Sequence, residues 1–300
     1  MSQQVALLVG GLATGSLYAL IAAGYAVLLK SSHRFNFAHV ALVLLAGYLI
    51  YQANVVWDLG FLPGVLLGVT LSAASAVVVY FVVGKPLTGR AGGLLALAIA
   101  TIGVDIAIRS GIDSYTPWNL ELTEVGTPWQ ANTTKVFGAS VYTSQLWLIG
   151  VTVVVVTGLV LGLSRTRFGL LFRAIAEDEE ASAANGIQIN RVLIGAWALA
   201  GALAGIAGLF AGSFPRLLTP ATTPEIALRA IPGVVIGGMG SIGGAITGGL
   251  VVGVVEIYTA RYAPGWLGSN FHLVMPYIVM MAVLVVRPQG LFGEASVRRV

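Results

Sequence analysis

An all-α polytopic membrane protein is the fold class this sequence predicts, with eight or nine transmembrane helices plus a short or re-entrant helix. Three observations carry that expectation. Hydrophobic residues make up 57% of the 300 and charged residues only 9%, against about 25% charged in a soluble domain. The mean hydropathy is +0.90. Apolar runs recur at lengths that cross a hydrocarbon core of about 30 Å as helices. Residues 1–300 are therefore read as a single transmembrane domain.

The first run, near 5–29, has no cationic leader or small-residue cleavage site. It also exceeds the apolar stretch of a signal peptide, so it reads as a retained span. Further runs lie near 38–57, 61–84 and 91–112. A loop rich in Thr, Trp and Pro, from Asp113 to Gln145, separates these from a run at 145–163. A polar interval at 164–191 precedes the run at 192–213, and more apolar sequence follows at 226–260 and 271–287. Cationic loops stay cytoplasmic. With the N-terminus outside, Lys30, Arg34, Lys85, Arg90, Arg165, Arg167, Arg173, Arg191, Arg287, Arg298 and Arg299 fall inside, 11 of the 16 cations. The loop 113–145 and the segment around Asp58 are then external, and the C-terminus is cytoplasmic.

Between 214 and 271 the chain must go in and return if both flanking loops are external. A short helix at 226–237, the turn GGMGSIGG and a full helix at 243–260 satisfy this, as nine crossings or as eight plus a re-entrant helix. The turn is either a cytoplasmic loop or the lining of a pathway, because irregular backbone at membrane depth needs protein or water to satisfy it. Gly233 and Gly237, Gly240 and Gly244, Gly244 and Gly248, and Gly249 and Gly253 stand four apart. That spacing lets helix backbones approach closely. GGLATG at Gly10 to Gly15 and GGAITG at Gly243 to Gly248 form a weak internal echo.

Several chemistries lack their signatures. There is no P-loop, no G-x-S-x-G elbow and no Cys, and His33, His39 and His272 are scattered without convergent carboxylates. ATP hydrolysis by a P-loop, an elbow nucleophile and a thiolate metal site are thereby excluded. Charges within spans are functional candidates because lipid disfavours them. Asp105 with Arg109, and Glu225 with Arg229, stand at i and i+4 and can neutralise one another, or line a pathway. Glu256 has no partner at helical spacing.

The interval SRTRFGLLFRAIAEDEEASAANGIQINR, residues 164–191, reads from Phe168 as an amphipathic cytoplasmic helix that Asn185 and Gly186 close with a left-handed stop. Surface-bound helices are rich in Lys and Arg on the polar face. Here Glu177, Asp178, Glu179 and Glu180 form an acidic run that anionic lipid would repel. A protein partner is the favoured reading. EASAANG, Glu180 to Gly186, fits the E-A-[AS]-x-x-x-G core of the loop by which importer permeases engage their ATPases. GSLYALIAAGY from Gly15, FNFAH from Phe35, AGY from Ala46, RAIAEDEEASAANGI from Arg173, IGGMGSIGGAITGG from Ile236 and RPQGLFG from Arg287 follow in the same order. Over nearly its whole length the chain resembles the permeases of branched-chain amino acid ABC importers, of the LivH type. Val40 stands where that family usually has Gly, and KSSHRF is more basic than its usual turn.

The resemblance implies a permease subunit for branched-chain or other hydrophobic amino acids, not an enzyme and without cofactor of its own. Two cytosolic ATPases would bind ATP and Mg, an external binding protein would select the solute, and a second, related permease would complete the pathway as a heterodimer, with a homodimer the alternative. Membrane lipid is the remaining partner, and no nucleic acid is expected. The location implied is the bacterial inner membrane. Arg173, Glu177, Glu180, Ala181, Ser182 and Gly186 are the coupling candidates, in a coupling helix at 168–186. Asn36, His39, Asp105 and Glu256 are the pathway candidates, with His39 alternatively an interfacial histidine satisfied by backbone carbonyls. Competing readings are a urea or short-amide importer, a sugar or nucleoside importer, an ion-coupled carrier or channel, and a scaffold subunit.

Overall fold

Backbone polar groups in hydrocarbon must be satisfied within the chain, and the apolar runs achieve this as helices. The structure is a computed structural model that describes residues 2–32, 35–87, 93–115, 124–129, 131–213 and 215–293. Helix α1 spans Ser2–Ser32 and α2 Ala38–Tyr51, the latter continued by a π-helical turn at Gln52–Val56. Helix α3, Phe61–Val79, runs on through a π-helical turn at Tyr80–Gly84 into α4, Lys85–Leu87. Helix α5 is Gly93–Tyr115, and α6 is Thr143–Arg165. The polar interval holds α7, Arg167–Glu177, and α8, Glu179–Ala184. Helix α9 is Ile189–Ala211, followed by α10, Thr222–Leu228, α11, Ile231–Gly237, α12, Ile242–Tyr262, and α13, Phe271–Val286.

Among the described residues seven helices, counting α2 with its continuation to Val56 and α3 with its continuation to Leu87, are long and apolar enough to cross a membrane; α13 is shorter at 16 residues. Helices α1 and α9 form the centre, with 67% of their apolar windows buried, whereas α5 and α6 bury only 22% and present side chains such as Ile99 and Val154 outward. Helix α1 packs on α12, α9 and α6, while α2 and α3 pack on α9.

Small residues permit the closest of these contacts. A Cβ on Gly253 would overlap the backbone of Gly15, and one on Gly249 would lie 2.7 Å from the Ala19 nitrogen. Helices α1 and α12 thus touch backbone to backbone, and so do α11 and α12, where Gly237 faces Gly244 and Gly233 faces Gly248. Gly240, by contrast, meets open space and belongs to no such contact.

Three expectations are corrected. The short helix expected at 226–237 is two helices, α10 and α11, because Pro232 sits in the first turn of α11 and starts a new helix there. The helix expected at 168–186 is also two, broken at Asp178. The fold is not purely α, for the loop 113–145 contains an antiparallel hairpin, β1 Thr133–Val136 and β2 Ala139–Tyr142. Phe137 and Gly138 connect its strands with φ of +47° and +80°, the paired positive angles of a tight hairpin turn. Arg34, Arg90, Arg298 and Arg299, on which part of the orientation rests, and residues 116–123 and 130 of the loop lie outside the described residues.

Candidate functional site

Thr166 begins the polar interval by accepting the Gly169 amide on Oγ1 at 3.1 Å, which satisfies one open donor of α7. Gly169 is required there, since a Cβ would overlap the Leu163 backbone as the chain turns out of α6. Phe172 and Ile175 are each 1% exposed and fix α7 against the bundle, where it contacts α1, α6 and α9. Phe168 lies over Gly195 of α9. Arg173 is exposed and places Nε 3.4 Å from the Gly169 carbonyl; it makes no ion pair with Glu177.

At Asp178 the backbone becomes extended, φ −155° and ψ 105°, and the side chain accepts the Ala181 amide at 2.9 Å as the cap of α8. Glu179 and Glu180 occupy the first turn of α8, where carboxylates complement the positive end of the helix dipole. The close of α8 is a paired-bond stop: the Gly186 amide donates to Ala183 at 2.9 Å and the Ile187 amide to Ser182 at 3.1 Å, with Gly186 at φ +80°. Glu177, Glu180, Ala181 and Gly186 are exposed, whereas Ser182 is 5% exposed and faces the bundle. The root of the segment is tied down where Tyr80 donates to Asn190 of α9 at 2.8 Å. The result is an acidic knob in which α7 packs on α1, α6 and α9 and α8 packs on α7 and α9.

The charges within the spans form a second arrangement. Glu256, 6% exposed, accepts the Tyr18 hydroxyl at 2.6 Å and faces Arg229 at 3.5 Å. Arg229 reaches Glu225 at 3.4 Å with its other nitrogen and so bridges the two acids. Close by, Arg216 donates to Thr14 of α1 at 2.8 Å. Glu256 therefore does have partners, supplied by α1 and by the end of α10 and not by its own helix. Sequence reasoning missed Tyr18 and Arg216; no helical spacing connects them to Glu256.

The remaining pathway candidates sit apart from that cluster. Asp105 and Arg109 pair through two bonds, Nε to Oδ1 at 3.0 Å and Nη2 to Oδ2 at 2.5 Å. Asn36, 2% exposed, accepts the Ala38 amide at 3.0 Å and so shapes the entry to α2. His39 is fully buried, with its ring edge-on to Tyr25 at 4.7 Å between centroids and covering Gly24. The Ile21 carbonyl lies beside it, though no hydrogen bond of good geometry reaches the ring among the described residues. No group of three or more His, Asp or Glu able to hold a metal occurs among the described residues.

Comparison with known proteins matches residues 7–284 to the family described as branched-chain amino acid transport system / permease component. The chain is 30% identical to the high-affinity branched-chain amino acid transport system permease protein BraD of Pseudomonas aeruginosa, across 98% of this chain and 97% of that one. It is 28% identical to LivH of Salmonella typhimurium, across 97% and 96%. A more partial likeness, 32% identity across 46% of this chain and 39% of the other, links it to the fructose import permease protein FruF of Bifidobacterium longum.

Proposed function

We propose an importer role on the premise that this chain, a multi-pass membrane protein, belongs to the branched-chain amino acid transport system permease family. In this reading it is the transmembrane subunit of an ATP-binding-cassette importer for branched-chain or other hydrophobic amino acids. Two cytosolic ATPases bind ATP and Mg, an external binding protein delivers the solute, and a second, related permease completes the pathway. The subunit lies in the inner membrane with its N-terminus outside and its C-terminus in the cytosol, making nine crossings if α10 and α11 traverse as one broken helix.

The observation that carries the coupling role is the acidic knob formed by α7 and α8. It projects Glu177, Glu180, Ala181 and Gly186 into solvent while Ser182, Phe172 and Ile175 lock it to the bundle. A partner that grips the exposed face moves α7, and α7 contacts α1 and α9 directly. Motion of an ATPase is thereby delivered to the two central helices. Arg173 flanks the knob. Within the spans, Glu256 is the pathway residue of this reading, because the Tyr18, Arg229 and Glu225 network can exchange partners as α1 and α12 shift. Asn36, His39 and Asp105, which sit apart from it at α2 and α5, are the other pathway candidates of this reading.

Solute-stimulated ATP hydrolysis by the assembled complex tests the proposal. Stimulation by leucine, isoleucine or valine, with none by urea or short amides, is the expected result. Stimulation by a sugar alone would instead favour the second reading, a sugar importer, which the partial likeness to FruF motivates.

A further inference from the structure

A cavity of about 630 Å³ opens where the ends of α1 and α6, one face of α7, the first turn of α12 and the residues after α13 converge. Its volume lies within the range of about 300–1,000 Å³ typical of small-molecule sites. Two cations line it, Lys30 from the last turn of α1 and Arg173 from α7. No carboxylate of the described residues lines it, and neither cation makes an ion pair among them. Ser164, Gln289, Ser241, the cap of α12, and Gly243 complete the polar wall, and the last two add the positive end of a 21-residue helix to the two cations. Three sources of positive potential therefore share one concavity without a counter-charge.

Most of the remaining lining is apolar, and two of the helices that supply it face outward. Val160 and Leu163 of α6 and Leu284 of α13 form the walls. On the same two helices Val160, Leu161 and Val285 are 46%, 51% and 84% exposed. Helix α6 is held by α1 and α7 and α13 by α11 and α12, so the two flank the cavity as apolar rails.

We propose that this cavity binds the headgroup of an anionic phospholipid, with the phosphate against Lys30, Arg173 and the start of α12 and the acyl chains along α6 and α13. Charge complementarity selects the anion, as in basic pockets between transmembrane helices generally. The apolar rails select a lipid over a free phosphate, which would leave them unused. A lipid held there touches both α7 and the Gly-rich turn at Met239 and Gly240. The proposal requires only that the chain is embedded in a membrane, and it stands or falls independently of the importer reading.

Native mass spectrometry of the full-length chain, purified with whatever subunits accompany it, tests this with phosphatidylglycerol, phosphatidylcholine and inorganic phosphate as probes. Phosphatidylglycerol is expected to be retained in preference to phosphatidylcholine. Lys30→Gln and Arg173→Gln are each expected to lower that retention about fivefold, equivalent to ~1 kcal/mol per cation near the membrane surface. Lys30→Arg should restore it, and Arg165→Gln, an exposed cation that does not line the cavity, should leave it unchanged. Leu284→Trp, which fills the apolar exit, should reduce lipid retention without touching the cations. Equal retention of both lipids, or equal losses in Arg165→Gln and Lys30→Gln, would overturn the proposal. So would binding of phosphate that depends on Lys30 while phosphatidylglycerol does not.

Discussion

Gly186 adopts φ +80° in open space, so a side chain there meets no neighbour and the whole cost of substitution lies in the backbone. Holding a non-glycine residue in that conformation costs about 1–3 kcal/mol, and Asn tolerates it better than a β-branched residue. Gly186→Val is accordingly expected to loosen the end of α8 and lower transport per ATP hydrolysed while membrane levels stay normal. Gly186→Asn should retain most coupling. Proteoliposome uptake measured beside ATPase rate separates the two, and a Val variant with wild-type coupling would remove Gly186 from the contact. This stop was legible because Asn-Gly after an amphipathic run is a local signal. The partners of Glu256 were not legible, because Tyr18 lies 238 residues away and the backbone contacts of Gly15 with Gly253 and of Ala19 with Gly249 bring the two side chains together.

The break between α7 and α8 depends on one side chain with two available roles. Within a continuous helix Asp178 would be one more acidic residue in the run from Glu177 to Glu180. In the fold, Phe172 and Ile175 anchor α7 on one line and buried Ser182 draws α8 onto another, so the chain must bend between them. Asp178 stabilises the bend by capping α8. Which role it takes is a tertiary decision, and for that reason the sequence pattern suggested a single helix. Loss of an N-cap costs about 0.5–2 kcal/mol. Asp178→Ala should therefore speed hydrogen exchange at Ala181, whose amide bonds to the Asp178 carboxylate, while Asp178→Asn should preserve most of the protection. Unchanged exchange in the Ala variant would show that packing alone sets the bend. The split of 226–237 had a local signal in Pro232, whereas the π-helical turns at Gln52–Val56 and Tyr80–Gly84 had none in the apolar periodicity.

Across the whole molecule, burial ranks the helices in a way that hydropathy does not. Helices α1 and α6 have similar hydropathy, 2.0 and 2.5, yet 67% of the window is buried in one and 22% in the other. The Gly-rich sequence of α1 explains the difference: Gly11 and Gly15 admit α12 at backbone distance, whereas Gly150 and Gly158 of α6 meet nothing. The spans were thus readable from composition, but their order from centre to rim was set by which glycines find partners. The proposed sidedness rests on charge, with Lys30, Arg165 and Arg173 at the end that carries α7 and α8. The hairpin lies beyond the opposite end of α6, with Phe137 at its tip 91% exposed. The chain contains no Cys, so single introduced thiols report position without background. A membrane-impermeant maleimide applied to intact cells should label Phe137→Cys, while Ala184→Cys, on the exposed face of α8, should label only after the membrane is opened. His39→Cys, fully buried, should resist labelling from either side. Because cationic loops are retained in the cytosol, labelling of Ala184→Cys in intact cells would invert the orientation and place the acidic knob where no cytosolic ATPase can reach it.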